Sequence, residues 1–241
     1  MQNFLTDSHP EIGCLQISTN QHNSIDMGFV DQALCEFGAW DKDENVKAVL
    51  ITGSGRSFCT GANLQELANY NESQCIDFFH KYDKLLATIH NFWKPVVSII
   101  NGHALGGGLS IAQASVYSMS VNNDKAKIGF PELRLGLSLT PIMIEIMRTK
   151  SRMNMHRVLI GAILNPHEAQ KDGFIDEVFP EDCSSRLSEL IQVLTAIPRN
   201  AFGFYQTAVK RNLPTISDYD AAAFYKRIYQ EIQEYINTEH D

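Results

Sequence analysis

Cysteine is scarce in this chain and unpatterned. The 241 residues hold five, Cys14, Cys35, Cys59, Cys75 and Cys183, an odd and scattered set with no CxxC and no zinc-ribbon spacing. That excludes a disulfide framework and a thiolate zinc site, and points to reduced thiols in a cytoplasmic protein. Cys59 falls in a glycine-rich loop, where a small buried residue is expected. Positive charge is short as well: 20 Lys and Arg against 28 Asp and Glu leave a formal net charge of -8. A broad nucleic-acid surface needs a basic face, so no nucleic-acid partner is expected. No apolar run reaches the roughly 20 residues that cross a bilayer, and no membrane partner is expected. The opening MQNFLTDSHPEIG has neither the basic nor the apolar region of a secretory signal, so none is expected. A fixed-period repeat, a low-complexity tract and the GxxxxGK[ST] phosphate loop are also missing from the sequence.

What is present is ordinary in bulk, with 44% hydrophobic and 20% charged residues, enough for one large domain with a sizeable core. Strand signals fall at 12–19, 46–52, 96–100, 116–121, 127–130 and 175–179. Helical spacing runs through Phe29, Ala33, Leu34, Phe37 and Trp40, and again from about Ser73 to His90. Further helical patterns cover 141–148, 152–162 and a short piece opened by Pro166 and stopped at Gly173. From Ser184 onward the chain reads as helical with breaks at Pro198 and Pro214, and a last helix at 219–235 carries Phe224, Ile228, Ile232 and Tyr235. The sum is an α/β body over residues 1–183 and a helical region over 184–241 whose apolar faces suit a neighbouring subunit.

Chemistry concentrates in two glycine-rich loops that each follow a strand, GSGRSFCTGANL (53–64) and NGHALGGGLS (101–110). In the second, Gly106, Gly107 and Gly108 open an apolar segment. Glycine lets a ligand approach the backbone, and the first N–H groups of a helix are free to bind negative charge. Two loops that each aim one backbone N–H at a single point make an oxyanion hole. The acid or base must come from elsewhere, and the best candidate is Glu132, after Pro131 at the end of a short extended run. Ile128, Phe130 and Leu133 are expected to surround it and raise its pKa towards neutrality.

Other motifs fail on inspection. Gly53-Ser54-Gly55 follows a strand as a dinucleotide fingerprint would, but Phe58 takes the third glycine position. The run Gly108-Leu109-Ser110-Ile111-Ala112 departs from the G-x-S-x-G nucleophile elbow at Ala112, and NGHALGG separates the serine from its strand. A hydrolase would also need His156 or His167 as its base. Glu145 reads as a surface helical residue, and His103 as a histidine packed in its turn. Phe79 and Tyr82 fit either the core or a ligand pocket.

Four ordered segments, KAVLITGSGRSFCTGANLQEL, KPVVSIINGHALGGGLSIA, IGFPELRLGL and HEAQKDGFIDEVF, resemble the crotonase superfamily of enoyl-CoA hydratases and isomerases. The likeness runs from about Gly13 to Phe204. It implies a spiral of ββα units with a helical C-terminal region, assembled as a homotrimer or a dimer of trimers. It implies an acyl-CoA thioester as substrate, with coenzyme A as part of that substrate and no prosthetic group. Ala62 and Gly107 match the two oxyanion donors and Glu132 matches a catalytic acid. The coenzyme A contacts match Ser24 and Ile25, after Asn23, and the run Thr60, Gly61, Ala62, Asn63 and Leu64. Lys210 matches a phosphate partner more weakly.

The departures from the family are specific. Hydratases of the family carry a second glutamate where this chain has Ser110. The aspartate that commonly follows the loop alanine is Asn63, and SLTPIMIEIM replaces a glycine-rich loop after Glu132. Hydration needs a group for the water and one for the α-carbon, or one group serving both in turn, whereas a single carboxylate can move a double bond. The resemblance therefore implies Δ3,Δ2-enoyl-CoA isomerase chemistry ahead of hydration, ahead of C–C bond chemistry on an enolate, and ahead of a non-catalytic acyl-CoA binder.

Overall fold

The structure is a computed structural model that describes residues 9–150, 152–179, 184–209 and 221–238. In chain order these form β1 (Ile12–Ile17), α1 (Met27–Lys42), β2 (Ala48–Gly53), β3 (Ser57–Cys59), α2 (Leu64–Leu67), α3 (Glu72–Asn91), β4 (Val96–Ile100) and β5 (His103–Leu105). There follow α4 (Gly107–Ala114), β6 (Tyr117–Val121), β7 (Ile128–Gly129), a 3-10 turn at Glu132–Leu135, α5 (Pro141–Thr149), α6 (Met155–Leu159) and β8 (Ile163–Leu164). The chain closes with α7 (Pro166–Lys171), β9 (Glu177–Phe179), α8 (Ser184–Ala196), α9 (Arg199–Val209) and α10 (Ala221–Thr238).

The strands form two sheets. The larger is wholly parallel, in the order β1-β2-β4-β6-β9, and the smaller runs β3-β5-β7-β8 with only its last pair antiparallel. Three times a strand of the large sheet (β2, β4, β6) is followed at once by a strand of the small one (β3, β5, β7) and then by helix. That is a spiral of ββα units. Because both faces of the large sheet are covered, β2 and β4 are buried at every position and read as continuous apolar runs. On one face lie Phe37, Phe78 and Leu86 of α1 and α3. On the other, Leu187, Leu190, Ile191 and Leu194 of α8 meet Leu50, Val97 and Met119.

The helices start where side chains can satisfy their free N–H groups. Asp26 accepts from Phe29 N at 2.7 Å, Asn71 and Asn165 form capping boxes with Gln74 and Glu168, and Thr140 caps a helix that has Pro141 at its first position. The strand and helix readings of the sequence correspond to these elements with small shifts at the ends. The helical reading of 152–162 needs correction: helix covers only Met155–Leu159, the chain turns at Gly161 (φ 59°), and Ile163 and Leu164 pair with β7. The short strands β3, β5 and β8 carry too few residues for a period and were not foreseen.

The C-terminal region, expected to serve a neighbouring subunit, packs in its described parts on its own chain. The stripe Tyr225, Ile228 and Ile232 of α10 is buried in the main core alongside α3. Phe204 and Tyr205 of α9 remain exposed. Pro214, read as a helix break, lies outside the described residues.

Candidate active site

The second glycine-rich loop becomes the start of α4, and each of its three glycines answers a different neighbour. Gly106 is the residue before the helix and has φ 53°, a conformation glycine takes without strain. A Cβ on Gly107 would lie 3.0 Å from Tyr82 Oη, and one on Gly108 would lie 2.6 Å from the carbonyl carbon of Cys59 in β3. The helix therefore starts pressed against the first loop. Gly107 N is the first N–H of an eight-residue helix, with no intrahelical partner and the positive end of the helix dipole behind it. Tyr82 Oη donates to Gly107 O at 2.6 Å and fixes that peptide.

The first loop is held by a short parallel bridge. Ile25 N donates to Gly61 O, and Asn63 N to Ile25 O, each at 2.8 Å. A bridge of that geometry turns the intervening Ala62 N away from Ile25. Gly61 meanwhile lies close to the second loop, since a Cβ there would be 3.4 Å from Gly107 N. Asn63 caps α2, accepting from Glu66 N at 3.3 Å, so it keeps the helix-capping half of an aspartate's role without the charge. Thr60 Oγ1 donates to His22 O at 3.2 Å, and Ser24 accepts from Asn20 through its hydroxyl and from Thr19 Oγ1 through its carbonyl, at 2.7 Å. Asn23, ahead of them, is buried with its amide nitrogen donating to Ser54 O and Ser57 O, which ties this loop to the turn between β2 and β3.

Glu132 enters from the 3-10 turn after β7. It lines one largely apolar pocket with Ile25, Ala62, Leu64 and Gly107. Among the described residues it is the only carboxylate that lines this pocket. The residue is partly exposed, but its Oε2 is out of solvent and has no hydrogen-bond partner. Burial pushes its pKa up to about 7, opposed weakly by a hydrogen bond from its own backbone amide. Of the three apolar neighbours expected for Glu132, Ile128 and Phe130 are buried, whereas Leu133 is 43% exposed because the 3-10 turn carries it outward. The apolar wall comes instead from Phe79, Leu137, Met143, Ile228 and Ile232.

Ser110 is buried, as is every residue of α4, and its hydroxyl lies 3.4 Å from Gly106 O and hydrogen-bonds Tyr82. Glu145 faces outward and pairs with Arg148, and His103 accepts from Lys127 N through Nδ1 at 3.1 Å. Phe79 and Tyr82 both line the pocket. Cys59 is fully buried, and burial pushes its thiol up to about 12, which makes it inert. Lys210 lies outside the described residues. The sequence reading missed the far wall: Ile228 and Ile232 show there as a helical stripe, but nothing in a stripe says which surface it will cover.

A ββα spiral that brings two loop amides and one buried carboxylate to the rim of an apolar pocket defines a crotonase-superfamily protein. The chain belongs to the enoyl-CoA hydratase/isomerase family, whose model matches residues 10–239. Among relatives, it is 32% identical over 168 residues to the enoyl-CoA isomerase/hydratase fer4 of Mycosarcoma maydis, covering 66% of this chain and 59% of that one. It is 27% identical over 183 residues to the 2,3-dehydroadipyl-CoA hydratase of Escherichia coli, covering 74% and 69%. Human mitochondrial delta3-delta2-enoyl-CoA isomerase has the same fold with a TM-score of 0.84 at 21% identity, covering 95% of this chain and 94% of that one.

Proposed function

We propose that this enzyme shifts the double bond of an enoyl-CoA, with Glu132 as its single proton carrier. In this reading the thioester oxygen lies between Ala62 N–H and Gly107 N–H, and coenzyme A follows Ser24–Ile25 and Thr60–Leu64 out of the pocket. Glu132 takes a proton from C2 of a 3-enoyl thioester. The electron pair delocalises into a dienolate whose oxygen the two amides hold. The protonated Glu132 then returns the proton to C4, leaving the double bond between C2 and C3, so that atoms and charge balance and the carboxylate is regenerated. A group with a pKa near 7 is suited to both halves at neutral pH.

The observation that carries this reading is that, among the described residues, Glu132 is the one carboxylate lining the pocket, with Ser110 in place of a second acid. Hydration is the second reading, favoured by relatives such as the E. coli hydratase. Glu132 would then have to activate water and deliver the α-proton in turn. Incubation with 3-enoyl-CoA and, separately, with 2-enoyl-CoA distinguishes the two. Isomerisation raises conjugated-thioester absorbance from the first, and hydration removes it from the second. Absence of both changes leaves an acyl-CoA binder and overturns the proposal.

A further inference from the structure

Part of the pocket wall comes from α10, the last described helix of the same chain, and that helix is pinned beside the pocket. Tyr225 Oη donates to Asp83 Oδ2 at 2.7 Å, and Thr140 Oγ1 donates to the other oxygen of Asp83, a carboxylate with no solvent exposure. Six residues further along α10, Glu231 accepts from Ser138 N at 2.7 Å and from Ser138 Oγ at 2.8 Å. Those six residues span about 9 Å of helix. Ile228 lies between the two anchors and Ile232 just past the second, on the face set by Tyr225, and both enter the pocket.

Two directional hydrogen-bonded anchors at different turns of one helix add to its packing a constraint on both its register and its rotation. Glu231 grips the segment that follows Glu132 directly, at Ser138, and Tyr225 reaches it through Asp83, which Thr140 bonds; Ser138 and Thr140 lie six and eight residues after Glu132 and line the pocket themselves. The position of the wall is therefore tied to the position of the carboxylate.

We infer that α10 is the specificity element of this site: pinned through Tyr225 to Asp83 and through Glu231 to Ser138, it presents Ile228 and Ile232 as the end wall that limits the length of an unbranched acyl chain. The inference rests on the acyl-thioester reading above. Tyr225 and Glu231 are positioning residues, and Ile228 and Ile232 set the length.

The test is kcat/KM across a series of straight-chain enoyl-CoA substrates from four to twelve carbons, with binding of the matching saturated acyl-CoAs measured by calorimetry. Wild type is expected to lose activity steeply beyond one length. Ile232→Ala should raise the ratio of longer-chain to four-carbon kcat/KM at least tenfold. Ile228→Phe fills space rather than emptying it and should lower that ratio, which keeps the test decisive if the alanine variant is unstable. Tyr225→Phe keeps the ring and removes the anchor. It should flatten the length profile through KM, with a smaller change in kcat, a split that a general loss of folded protein does not produce. Folded variants with the wild-type profile overturn the inference and leave the acyl-thioester reading standing. Wild-type protein that binds no acyl-CoA of any length overturns both.

Discussion

The Cα of Gly106 lies against the carboxylate of Glu132: a Cβ there would overlap Oε1 and lie 2.9 Å from Cδ. The glycine that starts the helix thus also seats the proposed base. Gly106→Ala must push the carboxylate away and also hold alanine at φ 53°, ψ −126°, backbone space that favours glycine, a strain of about 1–3 kcal/mol. A displacement of roughly 1 Å at a reacting group can lower the rate about 100-fold. We expect kcat of Gly106→Ala to fall by about that factor while the protein still binds acyl-CoA, as steady-state kinetics and calorimetry will report. Wild-type kcat would remove Glu132 from the mechanism.

Glu132 also sets a pH dependence whose sign is fixed. It must be ionised to accept a proton, so kcat/KM should rise with pH along a limb centred near 7. Stability should move the other way. The folded protein holds this proton up to about pH 7, whereas an unfolded glutamate releases it near 4.5, so stability falls as pH rises through that window. Asp83 adds a fall of the same sign between about 3.8 and 6. Glu132→Gln removes the larger effect. It should be inactive yet more stable than wild type at pH 8, by about 3 kcal/mol from the size of the shift. Chemical denaturation at pH 5 and pH 8 checks this: the difference between the two proteins should be small at the lower pH.

Asn23 is a structural keystone of the first loop. It is fully buried, sits at φ 53°, and donates to Ser54 O at 2.8 Å and to Ser57 O at 2.7 Å. Its backbone leads directly into Ser24 and the Ile25–Ala62 bridge. Asn23→Ala loses both bonds and the one Asn23 Oδ1 accepts from Ser54 Oγ, and adds an unfavourable backbone conformation, for a destabilisation of about 2–4 kcal/mol. Asn23→Gly loses the same bonds but relieves the backbone, and should be milder by about 1 kcal/mol. Equal denaturation midpoints for the two variants would show that the left-handed conformation contributes nothing.

Much of this architecture is legible in the sequence because burial on both faces leaves an unmistakable mark. The runs AVLIT and VVSII read as strands from their short β-branched apolar stretches, and the stripes of α1 and α3 have clear helical periods. The small sheet is not legible. Ser57–Cys59 and Ile163–Leu164 are too short for any period, and their pairing is imposed by the units around them. At the site, Glu132, Ala62 and Gly107 stand out by motif, but Leu133 was misplaced among the neighbours of Glu132 because a 3-10 turn and a strand bury different faces. The apolar wall is hidden for another reason: Ile228 and Ile232 share a pocket with Glu132 although they lie close to a hundred residues from it in sequence.

Ser110 separates the proposed chemistry from two alternatives. Its hydroxyl is 1% exposed as part of a buried residue and points to Gly106 O at 3.4 Å, a long contact within one helical turn. It also hydrogen-bonds Tyr82, which Gly107 O holds independently, so its loss costs about one ordinary hydrogen bond, and alanine is well suited to the buried helical position. Ser110→Ala should therefore keep kcat for isomerisation within about threefold of wild type and leave stability within about 1 kcal/mol. A serine nucleophile would instead be abolished by this change, and a serine that orients water for hydration would take the hydratase activity with it. An inactive Ser110→Ala protein that is folded and still binds acyl-CoA would move the chemistry from Glu132 alone to a site that includes the serine.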